Sequence, residues 1–353
     1  MVRWILVITA LFFLLPEFVT FAADSQVAVI TRKIGKVKLL KYPSVKRKGP
    51  SPHVKLDGLF YSVKKARKGH KLEIGDVIQT GKLARVRLIY DNGDQITVSP
   101  ETSYKISLGV GKKKNKPVID LFFGKLRAMV RKGGGRSGLE VRAKTGTMGV
   151  RGTDFFVSAR GKDGGSEVSV LRGAVAVKPT GENVKPVEIP AGFSAALPKI
   201  EKEDNKIGKG KKKRRKKKKS GGIMGFSIKM KKTTKQDLVK IQQVTKVKKQ
   251  KRKEGQKISA AELALEKKLK KLETKAVENT IQDIKEEDPE LYEVIKKNPK
   301  KNLDDIDKIQ TIATRKAFEK APSAPKSQKP RKDSLNLDAL GDDVYEKYFN
   351  LDD

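Results

Sequence analysis

The sequence predicts a mainly β fold (a roll, sandwich or solenoid-like arrangement), followed by a lysine-rich linker and short α-helices. Three observations predict it. Short runs that alternate apolar with other residues follow one another closely as far as Leu197. An Asn-Gly pair sits between two of these runs, where a tight hairpin turn needs residues tolerant of positive φ. The composition then changes near residue 200, where long lysine runs begin.

Taken in order, the chain opens on Arg3 and an apolar run from Trp4 to Leu15, closed by Pro16 and Glu17 and followed by Ala22 and Ala23. This three-part layout is that of a secretory signal peptide, expected over 1–22, with the cut after Ala22 or Ala23. The apolar run is shorter than the roughly 20 residues that a spanning helix needs, although an uncleaved anchor is the alternative. No later stretch is apolar enough to cross a membrane, so no transmembrane span is expected in the mature chain.

A β domain is expected over 24–199. Val27, Val29, Ile34, Val37 and Leu39 mark the first pair of strands. Arg85 to Tyr90 and Gln95 to Val98 flank Asp91-Asn92-Gly93-Asp94 as a hairpin. Val118–Phe123, Leu139–Ala143, Asp154–Ala159, Val168–Leu171 and Ala174–Val177 follow at close spacing. Pro43 to Pro52 and Gly109 to Pro117 read as long loops.

Residues 200–257 read as a disordered linker. Lys206 to Lys219 holds 11 Lys or Arg in 14 positions, and like charges at that density repel and stay extended. One weak helix is expected near Lys235 to Lys246. A helical segment is expected over 258–321. Ser259 with Glu262 three residues on forms a capping box, and Leu265, Leu269, Leu272 and Ala276 make a narrow stripe. A second helix starts at Asp288-Pro289, proline suiting a first turn. A third runs from about Asn302, with Ile306, Ile309, Ile312 and Ala313 on one side. The linker and acidic tail, 322–353, reverse the charge: residues 333–353 carry seven Asp or Glu against one Lys, with Tyr345, Tyr348 and Phe349 among them.

Composition bounds the chemistry. The formal net charge is +39 and there is no cysteine. Disulfides, thiolate nucleophiles and cysteine metal sites are thereby excluded. His53 and His70 lie in lysine-rich stretches with no carboxylate pair beside them, which suits solvated loops rather than a general base. No serine stands in a nucleophile-elbow pattern. Gly109-Val110-Gly111-Lys112 and Gly133-Gly134-Gly135-Arg136 lack phosphate-loop spacing. The expectation is a protein that is not an enzyme and holds no cofactor or metal.

The basic run Lys211, Lys212, Lys213, Arg214, Arg215, Lys216, Lys217, Lys218 and Lys219 is the candidate anion-binding site. It would be attracted to anionic lipid by about 1 kcal/mol per charge. Nucleic acid is disfavoured, because no aromatic stacking residues are interleaved. Plain solvation is the bland reading of the same run. The acidic tail could instead fold back onto the lysine run or the β domain.

Thr145-Gly146-Thr147-Met148-Gly149-Val150-Arg151-Gly152-Thr153-Asp154-Phe155 is the least ordinary stretch. Its glycines allow positive φ and close chain approach. The bland reading is a buried turn locked by Arg151 on Asp154 or Asp76; the functional one is an anion or carboxylate site for a partner. The Val150 to Phe155 core resembles the signature of the FecR-domain family. The resemblance extends through Gly75-Asp76-Val77-Ile78-Gln79-Thr80-Gly81, Ala84 to Leu88, the Asp91 to Val98 hairpin, Gly124-Lys125-Leu126, Val141 to Thr145, Val168 to Val177 with Gly173, and Ile189 to Phe193 with Gly192. It spans 27–197. Ala84 stands where the family usually has serine.

The resemblance implies a β domain that binds protein or envelope polymer, with the signature residues (Gly75, Asp76, Thr80, Gly81, Val150, Arg151, Gly152, Thr153, Phe155, Gly173 and Gly192) mostly structural and no catalytic residue inherited. The family's founding type spans the inner membrane, regulates a sigma factor from its cytoplasmic part and takes a signal from an outer-membrane receptor. A leader-like start replaces that cytoplasmic part here, so sigma regulation is not expected. The expectation is therefore an exported scaffold or sensor-accessory protein of the bacterial envelope, in the periplasm, bound to an unknown envelope protein or anionic polymer or lipid. The alternatives are a regulator in cell-surface signalling, a nucleic-acid-binding basic protein and, last, a hydrolase of cell-wall polymer.

Overall fold

A computed structural model describes residues 26–197, except 51, 110–116, 134–137, 162–163 and 181–183, together with 228–248, 258–297 and 306–321. The leader 1–22, the basic run Lys211 to Lys219 and the acidic tail lie outside the described residues.

The mainly β expectation is met by two sheets joined through one long strand. The strands are β1 Gln26–Ile34, β2 Val37–Ser44, β3 His53–Leu56, β4 Leu59–Lys65, β5 Lys71–Glu73, β6 Val77–Thr80, β7 Arg85–Tyr90, β8 Gln95–Val98 and β9 Thr102–Leu108. They continue as β10 Pro117–Met129, β11 Leu139–Ala143, β12 Gly146–Val150, β13 Asp154–Ala159, β14 Ser166–Arg172, β15 Ala174–Pro179, β16 Val187–Pro190, β17 Phe193–Leu197 and β18 Lys229–Lys232. The first sheet runs β5-β1-β7-β8-β10-β13-β14-β17-β18. The second runs β3-β4-β2-β6-β9-β10-β11-β12-β15-β16.

Strand β10 serves both sheets. Its first half pairs with β9 and β11, and its second half with β8 and β13. The change happens at Gly124, whose φ is +99°. A β-carbon there would run into Thr102 and Glu101, so only glycine lets the chain cross.

Alternation along each strand sends one set of side chains inward. Val86, Leu88, Ile96, Val98, Leu126, Phe155, Val157, Val168 and Val170 of the first sheet meet Leu39, Ile78, Tyr104, Ile119, Val141, Met148, Val175 and Val177 of the second in one buried cluster. Residues Gly146 to Val150, read from sequence as a run of small residues, are a full strand. They pair with β11 on one side and β15 on the other.

The expectation of a disordered linker over 200–257 needs correction for its described part. Lys229–Lys232 pairs with β17 and extends the first sheet. It carries no apolar alternation and forms because the β17 edge offers unpaired backbone groups. Helix α1, Lys235–Thr245, coincides with the expected weak helix; Thr234 and Asp237 close a capping box at its start. Helix α2, Ala260–Glu287, starts from the Ser259–Glu262 box. Helix α3, Pro289–Lys296, is capped by Asp288, and α4 covers Ile306–Lys320. Val277, Ile284, Leu291, Ile295, Ile306, Ile309 and Ile312 form a second small core with Met129 of β10. The helices are thus packed on the outer face of the first sheet. No helix among the described residues is long and apolar enough to cross a membrane.

Candidate functional site: an arginine row beneath the helices

The outward-pointing half of the first sheet carries charge. Arg32 pairs in register with Arg87, Arg87 with Thr97, and Thr97 with Arg127. The four residues therefore stand on one line across β1, β7, β8 and β10. An isolated sheet would present these arginines to water. Instead Arg87 and Arg127 are 0% exposed and Arg32 is 4% exposed, because α2 and α4 lie over them.

Burying three guanidiniums is tolerable only if carboxylates come with them. Glu273 of α2 takes Arg32 in a fork, Nε to Oε1 at 2.7 Å and Nη2 to Oε2 at 2.8 Å. Asp307 of α4 bridges the row: Oδ2 accepts from Arg32 Nη1 at 2.9 Å, and Oδ1 accepts from Arg87 Nη2. That bridge offsets the repulsion of two like charges set directly opposite each other. Arg127 forks onto Asp154 of β13 at 2.8 and 2.6 Å and donates to Thr314 Oγ1 of α4 at 3.1 Å. Gln95 Nε2 donates to Thr280 Oγ1 at 2.8 Å and Ala276 O at 3.2 Å. The fit is incomplete: Arg87 Nη1, Gln95 Oε1 and Arg172 Nε are buried without a hydrogen-bond partner.

The row continues toward the signature. Arg131 Nε donates to Asp283 at 3.0 Å, and its backbone N–H to Asp94 at 2.8 Å. Burial pushes the Asp94 carboxyl up to about 6, with nearby Asp283 adding to it. Glu287, at the end of α2, is held by Arg172 of β14 and sits over Gly152. Burial raises its carboxyl above the usual range, against the pull of Arg172 and Lys132. The signature glycines thus form a notch filled by a helix-borne carboxylate.

The signature residues fall in several places. Val150 and Phe155 are buried in the main core. Thr153 exchanges backbone hydrogen bonds with Val130 at 3.1 and 2.8 Å. Gly152 and Gly173 have φ of +64° and +77° and press together, a β-carbon on Gly173 meeting Gly152 O at 2.7 Å. Asp76 Oδ2 accepts from Glu73 N at 2.9 Å and lies 3.3 Å from Lys41 Nζ. Thr80 Oγ1 donates to Ser99 O at 2.6 Å, Gly81 N to Lys36 O at 3.0 Å, Gly75 N to Ile106 O at 2.8 Å, and Gly192 N to Val170 O at 2.9 Å.

Arg151 departs from the lock expected of it. It is exposed, and Asp154 is taken by Arg127 while Asp76 is taken by Lys41. The physical reason is position: Arg127 stands on β10 beside β13 in the sheet, whereas Arg151 follows the last residue of β12 and lines the open notch of Lys132 and Gly152. Sequence reasoning missed Arg32, Arg87, Arg127, Glu273 and Asp307. The visible signal was the placing of Arg87, Thr97 and Arg127 on the non-core side of their strands, and of acids in the helix stripe that faces them. Among the described residues, no group of three His, Cys, Asp or Glu is placed to hold a metal ion.

The architecture is that of a two-sheet β domain whose outer face receives helices through individual carboxylates, Glu273 and Asp307. Residues 76–176 match the family model described as FecR protein. The match is shorter than the span over which the motifs were read. Two crystal structures of a proposed anti-sigma factor from Parabacteroides distasonis, at 2.50 and 1.65 Å resolution, are similar at 16% identity and a TM-score of 0.30. The similarity covers 35% of this chain and 54% of theirs, about half their length. No curated protein matches the chain.

Proposed function

We propose that this chain is a non-enzymatic regulator in cell-surface signalling that acts from the bacterial envelope. Its FecR domain would bind a partner through the arginine row, and its own C-terminal helices would control access to that row. The FecR match favours regulation over a general scaffold, which the sequence alone had placed first. The observation that carries the reading is the row itself: Arg32 and Arg87 take carboxylates projected from helices, and the helices now on the row leave Arg87 Nη1 buried without a partner. A partner helix with better-placed carboxylates could compete for such a face, since interfaces rich in desolvated charge gain specificity from complementarity.

The test is genetic and transcriptional. Glu273→Ala with Asp307→Ala weakens the helix cover, whereas Arg87→Ala damages the receiving row. A regulator gives a confined set of transcripts that respond to both and in opposite directions. Unchanged transcripts in both strains would remove the regulatory reading. Export is tested apart, by fusing residues 1–30 to a reporter that folds only after secretion; a silent reporter would place the chain elsewhere.

A second reading rests on charge. The run Lys211 to Lys219 would hold the protein near an anionic lipid or polymer surface. Deleting 206–219 should then abolish salt-sensitive binding to anionic vesicles.

A further inference from the structure

We infer that the acidic segment 333–353 docks, within its own chain, as an amphipathic helix in the groove between α2 and strands β1 and β7 of the first sheet. The groove encloses about 500 Å³, a volume typical of ligand-binding clefts. Its apolar floor is made by Val29, Ile89, Leu265, Leu269 and Leu272. Of these, Leu265 is 38% exposed, an apolar side chain without full cover. Lys71, Lys268 and Lys275 rim it, and Asp91 is the one carboxylate among its lining residues.

The occupant follows from what the groove demands: apolar anchors on one side and negative charge on the other. Residues 333–353 meet both needs. Leu337, Leu340, Val344, Tyr348 and Leu351 recur at spacings of three and four, which puts them on one face of a helix. Asp338, Asp342, Asp343, Glu346, Asp352 and Asp353 supply the charge. Helix-in-groove recognition uses anchors at this spacing.

The reach also works. Helix α4 ends beside the start of α3, where Lys316 bonds to Asp288 at 2.7 Å and Lys320 to Glu290 at 2.9 Å. From Asp288 back to Leu272 is about 24 Å along α2, at about 1.5 Å per residue. The twelve residues 321–332 span up to roughly 40 Å when extended, at about 3.3 Å each. The segment therefore reaches the groove without moving α4. Docking there would brace α2, the helix that carries Glu273 and Glu287 onto the arginine row.

The chain has no cysteine, which permits a direct test on the full-length protein. Lys268→Cys is combined with Asn350→Cys and treated with a short bismaleimide. A control pairs Val45→Cys, 77% exposed on the β2–β3 loop, with Asn350→Cys. The Lys268 pair should crosslink within one chain at least fivefold faster than the Val45 pair. Adding Lys71→Glu and Lys275→Glu, both at exposed side chains, should cancel that advantage. Equal rates for the two pairs, insensitivity to the rim charges, or crosslinking only between chains would each overturn the inference. None of these outcomes depends on whether the protein regulates transcription.

Discussion

Arg127 and Asp154 form a two-pronged ion pair that is all but sealed from water, at 2.8 and 2.6 Å, with 0% and 1% side-chain exposure. The aspartate belongs to the FecR signature and the arginine to the strand that joins the two sheets. Removing the arginine alone leaves a buried carboxylate unpaired, which costs about 3 to 5 kcal/mol. Arg127→Ala should lower unfolding stability by that amount in a urea titration. Arg151→Ala should change it by less than about 0.5 kcal/mol, as at exposed positions generally. A large loss at Arg151 and none at Arg127 would reverse the assignment.

Asp307 is the keystone of the helix cover, because its two oxygens serve Arg32 and Arg87 at once. Asp307→Ala takes the carboxylate away from Arg87 and leaves Arg32 with Glu273 alone. Exchange of backbone amides in α4 and in the second half of α2 should speed up, while the inner strands β8 and β13 keep their protection. Hydrogen exchange read by mass spectrometry distinguishes this local release from global unfolding. Uniform acceleration across the sheets would show that the helices are part of one cooperative unit.

The pH dependence has a definite sign. Asp94 titrates near 6 in the fold and near 3.8 in the unfolded chain, so the folded state binds the extra proton between these values. Its contribution to stability is therefore full below about pH 4 and is lost as pH rises through 6, amounting to about 3 kcal/mol at 1.36 kcal/mol per unit. Glu287 shifts in the same direction. Asp94→Asn should gain stability relative to the parent between pH 4 and 6.5, measured by urea unfolding across that range. A parent and variant whose stabilities stay parallel would remove Asp94 as the cause.

The strands were legible because alternation and the Asn92-Gly93 turn are local signals. The starts of α2 and α3 were legible for the same reason: Ser259, Glu262, Asp288 and Pro289 act within one turn. What lay beyond reading was the meeting of Arg32 with Glu273 and Asp307, 241 and 275 residues apart. Strand periodicity places Arg87 and Arg127 off the core side but does not say whether water or a helix covers them. Lys229–Lys232 was invisible because its pairing is a property of the β17 edge rather than of its own side chains. Arg151 misled because its place between glycines suggested a clamp, while Arg127, on the strand beside β13, already holds Asp154.

Gly152 offers the sharpest test of the signature notch. Its φ of +64° already disfavours any side chain, at about 1 to 2 kcal/mol. A β-carbon would also collide with the Glu287 carboxylate and approach Lys132 Cβ at 3.3 Å. Gly152→Ala should therefore cost more than the conformational term alone. Glu287→Ala should cost stability too, since it strands Arg172, which is 6% exposed. If the carboxylate sits in the notch, the two losses will not add: in the double variant the collision is absent, and the second substitution costs less than it does alone. A double-mutant cycle by thermal or urea unfolding measures the coupling. Additive losses would mean that Glu287 reaches Arg172 without occupying the glycine notch, and the signature would then serve the β domain alone.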